Sequence, residues 1–182
     1  MSDDTLEWET LDSRVDYRCP GFAVHEDDVR LPDGTESDYH SVRESPAVVI
    51  LPFTPTGEVV LIEEWRQAVG RVNRGLPAGS IEDSEATAAA AARELREETG
   101  YVADALEHMV SVEPSNGIAN SVHHHFVATG CEPTAEQELD HNESIRVETA
   151  DYETVRAAVR DGTLDDGRAA LAVSYYELTR RA

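Results

Sequence analysis

The chain has 182 residues, 40% of them hydrophobic, which is enough for one domain with a buried core and a small appendage. Its 15 basic residues are all arginine and face 37 acidic ones, for a formal net charge of −22. Such a surface repels nucleic acid and anionic membranes, so neither is expected as a partner, and an anionic substrate would need a cation to bring it in.

Extreme acidity without lysine also fits a halophilic protein in a high-salt cytoplasm, where the Debye length shrinks to ~3 Å or less and self-repulsion is screened. The start, MSDDTLEWET, lacks a signal peptide's basic and apolar regions, and no apolar run approaches the ~20 residues that span a bilayer. A cytoplasmic location is therefore expected. Cys19 and Cys131 form no metal or redox motif and are expected to be reduced and at least partly buried.

Residues 1–45 alternate polar and apolar positions between turn signals. Tyr17 to Val24, Glu26 to Leu31 and Asp38 to Val42 read as strands of a small antiparallel sheet, with Pro32-Asp33-Gly34-Thr35 as a turn. A sheet this small is marginal alone and should pack on the main domain, 46–182, or on a second subunit. Ala47 to Pro52 is a continuous apolar run suited to a buried strand, and Glu58 to Trp65 is a second strand. Arg66 follows, placed either to clamp a phosphate bidentately or to pair with one of the many acids. Trp65 is suited to stacking on a ring or to the core.

The stretch Gly79 to Tyr101 (GSIEDSEATAAAAARELREETGY) carries the chemistry. Ser84 can cap a helix starting near Glu85, and Gly100 stands where a left-handed residue ends it. Glu94, Glu97 and Glu98 fall within an arc of about 100° on that helix. Three carboxylates so close repel one another unless a cation sits among them, and carboxylate oxygens suit Mg²⁺ or Mn²⁺. Ala88, Ala92 and Leu95 fall on another arc, suited to the core. Glu85 lands nearly opposite Glu94 and reads as an aid to the helix N-terminus, and Arg93 can pair with Glu97 at i, i+4. Taken alone, the helix also reads as a solvated acidic face.

Beyond the helix, Leu106 to Val112 and Ser121 to Ala128 read as strands joined by a loop with Pro114. His123 and His125 share a strand face and His124 points away. No companion ligands stand at matched spacing, so a structural or substrate-lining role is favoured over metal binding. Residues 130–144 are a polar loop that carries Glu143. Ile145 to Glu148 is a strand, and Asp151 to Asp161 and Asp165 to Thr179 are helices, the first stopped by Gly162.

Gly79, five residues, Glu85, seven residues, then Arg93-Glu94-Leu95-x-Glu97-Glu98-x-Gly100 resembles the Nudix box at every polar and glycine position; Tyr101 replaces the usual aliphatic last residue. The resemblance implies an α/β fold, the Nudix α/β/α sandwich around a mixed sheet, with a small N-terminal antiparallel β-region. It also implies divalent-metal-dependent hydrolysis of a nucleoside diphosphate linked to another moiety. The run F-x-V-x-x-D-x-V-x-L-P-D-G from Phe22, the Glu64-Trp65-Arg66 element and the stretch from Leu139 to Leu178 are similar to the ADP-ribose pyrophosphatases within that superfamily.

That likeness implies hydrolysis of ADP-ribose to AMP and ribose 5-phosphate by a homodimer formed through residues 1–45. It implies that Glu94, Glu97, Glu98 and the Ala78 carbonyl hold Mg²⁺ (or Mn²⁺) and that Arg93 positions the glutamates. Arg66 and Pro114 then serve the substrate, and Glu97 or Glu143 serves as the base. Two departures stand out: Gly75 where the subfamily has glutamate, and Asn120-Ser121 where many relatives have an acidic residue. They leave open a nucleotide-sugar, dinucleotide or modified nucleoside triphosphate substrate, or a non-catalytic nucleotide-sensing domain.

Overall fold

In the computed structural model, which describes residues 6–180, the part before Ala47 contains a three-stranded antiparallel sheet of β1 (Glu9–Arg18), β2 (Ala23–Arg30) and β3 (Glu36–Arg43), in that order. The strand expected across Tyr17 to Val24 is broken by a turn: Tyr17 and Arg18 end β1, Ala23 and Val24 begin β2, and residues 19–22 reverse the chain between them. Pro20 has no N–H to give a ladder, and Cys19 N donates to Phe22 O at 3.0 Å to close the bend. The next turn forms where expected: Asp33 Oδ1 accepts from Thr35 N at 2.9 Å, and Gly34 takes φ 87°. Residues 113–122 cluster with this sheet as one compact unit. Val42 N donates to Ile118 O at 2.7 Å, and the Tyr39 hydroxyl donates to Gly117 O at 2.7 Å.

The second unit comprises Ala47–Val112 and the chain from His123. Its strands are β4 (Ala47–Pro52), β5 (Glu58–Arg66), β6 (Arg71–Gly75), β7 (Ala78–Ser80), β8 (Tyr101–Val102), β9 (Ala105–Val112), β10 (His123–Thr129), β11 (Glu132–Pro133) and β12 (Ile145–Asp151). Its helices are α1 (Thr87–Thr99), α2 (Tyr152–Asp161) and α3 (Gly167–Arg180). The central sheet runs β7-β4-β10-β9 and is mixed, because β10 pairs β4 in parallel while the other pairs are antiparallel. A second sheet runs β12-β5-β6.

Strand alternation makes β4 the divider of the core. Val48 and Ile50 pack with Ala90, Ala91 and Leu95 of α1 and with Phe126. Val49 and Leu51 pack with Val59 and Leu61 of β5 and with Val155, Ala172 and Val173 of α2 and α3. The continuous apolar run of β4 is thus buried on both faces, with helices on either side, as an α/β/α sandwich requires. Cys131 is buried and Cys19 half-buried, and both are free thiols.

The main helix starts later than the sequence suggests. Ser84 takes φ 66° and lies in the loop, and the N-cap position is Ala86, which makes no side-chain cap bond. Gly100 ends the helix as expected, at φ 74° with its N–H on Arg96 O. α3 begins at Gly167, two residues after the expected start, and Asp166 Oδ1 caps it by accepting from Ala169 N at 2.9 Å.

Candidate active site

Strand β7 is only three residues long, yet it sets the site by laying its backbone along one stripe of α1. Glu98 Oε2 accepts a hydrogen bond from Ala78 N at 2.9 Å. A β-carbon on Gly79 would run into the Glu94 carboxylate. Glycine therefore lets the strand lie this close to the Glu94–Glu98 face without displacing the Glu94 carboxylate. Both carboxylates are buried beside Leu95, a placement the bare amphipathic pattern would have left to apolar side chains.

Arg93 fastens the neighbouring acids. It reaches Glu85 Oε1 at 3.0 Å and Oε2 at 2.9 Å, Glu94 Oε1 at 2.7 Å, Glu97 Oε2 at 3.1 Å and the Ser80 carbonyl at 3.0 Å. Glu85 is thus not an aid to the helix N-terminus. It lies outside the helix, holds the guanidinium in a fork, and closes its own loop by accepting from Glu82 N at 3.1 Å. These bonds, first of all those to Glu85, hold the Arg93 pKa above the ordinary arginine range. Glu97 has both oxygens on arginine, Oε2 on Arg93 and Oε1 on Arg96 at 3.0 Å.

A loop on the other side delivers Glu143. Ala135 N donates to Gly100 O at 3.0 Å, Gln137 Nε2 to Glu98 O at 2.6 Å, and Glu138 N to Glu97 O at 2.9 Å. The loop is therefore stitched to the end of α1. It then turns at Asp140, whose N–H donates to Glu143 Oε2 at 2.9 Å, and Glu143 N returns to Asp140 O at 3.0 Å.

The result is a concentration of negative charge. Burial, then the charges of Glu94, Glu143 and Glu64, push the Glu98 pKa up to about 8 against the single favourable bond from Ala78. Burial raises Glu94 too; Arg93 opposes the shift and Glu97 and Glu143 add to it. Glu64 is raised by burial and held back by Arg66 and Arg168. No three of these side chains are already drawn together as a coordination cage among the described residues. A hard divalent cation fits the donor set nonetheless. Arg93 reaches Glu94 Oε1 and leaves Glu94 Oε2 and the Glu98 carboxyl to other partners, and ionised carboxylate oxygens are the ligands such ions prefer.

The other expected residues are spread more widely. Arg66 lies at the end of β5, with Nη2 2.6 Å from Glu64 Oε2 in an ion pair rather than an aligned hydrogen bond. Pro114 belongs to the first unit, at the turn after β9. His125 is fully buried in β10, and neither ring nitrogen has a hydrogen-bond partner among the described residues. Burial, then His123, lower its pKa to about 4, so it is neutral. His124 Nδ1 is 2.7 Å from Ser111 Oγ across the strand pair.

The sequence reading missed Glu64. Its signal was available: one charge at an inward position of a strand whose other inward side chains, Val60 and Ile62, are buried and apolar.

A family profile described as "NUDIX domain" matches residues 43–171, and one described as "Nucleoside diphosphate sugar hydrolase N-terminal domain" matches residues 8–42. The chain is 30% identical over 175 residues to an ADP-ribose pyrophosphatase of Bacillus subtilis, covering 96% of this chain and 95% of that protein. It is 30% identical over 153 residues to a methanol dehydrogenase activator of Bacillus methanolicus, covering 84% and 83%. It is also 30% identical over 139 residues to an ADP-ribose pyrophosphatase of Mycobacterium tuberculosis, covering 76% and 67%. A crystal structure described as an ADP compounds hydrolase superposes with a TM-score of 0.85 at 22% identity, over 98% of this chain and 99% of that one, a likeness of fold.

Proposed function

The chain belongs to the Nudix family, and on that premise we propose that it is a divalent-metal-dependent pyrophosphohydrolase that cuts ADP-ribose into AMP and ribose 5-phosphate. The observation that carries the reading is the pair Glu94–Glu98, buried on α1 against the backbone of Ala78 and Gly79 and left short of positive charge. The relatives named for ADP-ribose at 30% identity support the substrate.

Glu94 and Glu98 would hold Mg²⁺, with Glu97 and the Ala78 carbonyl as the further expected ligands. When bound, such an ion neutralises diphosphate charge and makes water a better nucleophile near neutral pH. Arg93 keeps the glutamates in place, so their geometry is set before substrate arrives. Arg66 offers a guanidinium to a phosphate oxygen. Pro114, in the first unit, is assigned to substrate contact. Glu97 is committed to two arginines, which favours Glu143 as the base: the loop that carries it is stitched to the end of α1, and its charge acts on Glu94 and Glu98. Glu143 takes the proton of the attacking water, water attacks one phosphorus in line, and the other phosphate leaves.

Several further assignments belong to this reading. A homodimer through the first unit is supported by exposed Trp8, just before β1, and by Leu11, Val15 and Tyr17 along it. Adaptation to high salt is supported by the net charge of −22. No helix among the described residues is long and apolar enough to cross a membrane, and with two free thiols this supports a cytoplasmic setting.

Incubating the protein with ADP-ribose and Mg²⁺, and identifying the products by mass spectrometry with and without a chelator, tests the function. Equimolar AMP and ribose 5-phosphate, abolished by chelator, is the expected outcome. Adenosine or free phosphate as the primary product would refute it.

A further inference from the structure

A second set of charges gathers where β5 runs beside β6, separate from Arg93 and its glutamates. Glu64 is 8% exposed, at the polar end of an otherwise apolar strand and opposite Asn73 of β6. Burying a carboxylate is costly unless it is paired, and glutamine would keep its shape without the charge. The charge at position 64 therefore needs an explanation, and its nearest cation supplies one. Arg66 stands two residues on, so alternation returns it to the same face, and its Nη2 is 2.6 Å from Glu64 Oε2. The Arg66 side chain keeps 33% of its surface exposed. The pair is thus anchored at its acid end and open at its guanidinium end.

The surroundings of Glu64 carry charge of both signs. Asp166, which caps α3, has Oδ2 3.3 Å from Arg168 Nη2, and the charges of both act on Glu64. Gly75 of β6 lies beside the same corner: a β-carbon there would sit 3.5 Å from the Asp166 carboxyl carbon, an ordinary contact. Where the subfamily carries glutamate on β6, this chain has glycine, and its carboxylates at this corner come from β5 and from the cap of α3.

We propose that Glu64 is a positioning residue: it fixes the Arg66 guanidinium at the edge of the carboxylate site before substrate arrives, so that Arg66 takes a phosphate oxygen of the nucleoside diphosphate with its orientation already set. The inference rests on the phosphate-substrate reading above. Glu64 engages only Nη2, which leaves Nη1 and Nε as donors for the substrate. A guanidinium held in advance loses less rotamer freedom on binding than a free one, so the gain falls on substrate affinity rather than on the chemical step.

The test compares wild type, Glu64→Gln, Arg66→Ala and the double variant by steady-state kinetics on ADP-ribose with Mg²⁺ and by calorimetric titration of metal-free protein with AMP. Glu64→Gln is isosteric and removes a buried charge, so its denaturation midpoint is expected to hold or rise. Arg66→Ala should raise KM on the order of 10-fold or more, the scale of a charge-assisted bond. Glu64→Gln should raise KM roughly 3- to 10-fold with kcat within about twofold, and should add nothing to Arg66→Ala, as a shared role demands. An unchanged KM in Glu64→Gln, a loss confined to kcat, or effects that multiply in the double variant would overturn the proposal.

Should wild type cleave no diphosphate at all, the hydrolase reading fails by itself and the AMP titration decides this one. Weaker AMP binding in Glu64→Gln only when Arg66 is present upholds it. AMP binding equal to wild type defeats it.

Discussion

Replacing Glu98 by glutamine gives the sharpest physical test of how the site is charged. The Glu98 side chain is 2% exposed, and its pKa is pushed from 4.5 up to about 8, chiefly by burial. A folded-state pKa above the unfolded value means that the native state binds the extra proton. Stability from this group is therefore fully present below pH 4.5 and is lost as pH rises through 8. At about 1.36 kcal/mol per unit, the metal-free protein loses about 3 kcal/mol by pH 7 and at most about 5 kcal/mol by pH 9 through Glu98. Glutamine keeps an oxygen for the Ala78 N–H and carries no proton to lose.

The assay is urea denaturation of wild type and Glu98→Gln in chelator and molar KCl, at intervals from pH 4.5 to 9. The wild-type free energy should fall below the variant's progressively across that range. Saturating Mg²⁺ should reverse the order above pH 7, because the ion binds more tightly where position 98 offers an ionised carboxylate than where it offers an amide. Glu94 and Glu64, also raised by burial, give both proteins a slope of the same sign, and because their charges act on Glu98 the difference between the curves reports Glu98 together with that coupling. Parallel curves for the two proteins would refute the claim that Glu98 is held protonated by its surroundings.

Three further outcomes follow from the same geometry. Gly79→Ala places a methyl group on the Glu94 carboxylate, the movable end of a side chain, so the fold should survive with a loss of about 1–2 kcal/mol while turnover falls on the order of 100-fold; denaturation and kinetics together check this. Glu143→Gln should cut kcat by roughly 10²- to 10⁴-fold while calorimetric Mg²⁺ affinity stays within a few fold, and the reverse pattern would make Glu143 a ligand. With a net charge of −22, the thermal midpoint should rise from 0.1 to 2 M KCl, and a flat profile by calorimetric scanning would remove the salt-adaptation reading.

Much of this was legible because local rules and tertiary demands agree. The apolar run of β4 reads as a strand buried on both faces, and its side chains pack into both halves of the core. Gly100 ends α1 as its freedom at positive φ predicts. The start of α1 was not legible, since Ser84 and Glu85 look like a cap and a first-turn acid. The chain spends them on a loop that folds back to bind Arg93, a long-range contact that local capping rules do not contain.

Short strands β6, β7, β8 and β11 escaped for a related reason: two to five residues carry no periodicity, and partners distant in sequence create them. The carboxylate stripe of α1 stood out by spacing, and its burial came from the glycine that lets β7 approach. The shared role of Glu64 and Asp166 was hidden, since a charge on the inward face of β5 does not say what it meets and Asp166 looks like one more acid in an acidic chain. Only the pairing of β5 with β6 and the cap of α3 bring them to one corner.

The most direct test of the central claim is the relative kcat/KM for ADP-ribose, a nucleotide-sugar, a dinucleotide and a modified nucleoside triphosphate, measured with Mg²⁺ at molar KCl. The account predicts that ADP-ribose is cleaved best and that Glu98→Gln abolishes all of the activity. Preference for another of these compounds would contradict the substrate. No cleavage of any of them, by folded protein that still binds Mg²⁺, would contradict the enzyme and leave a nucleotide sensor.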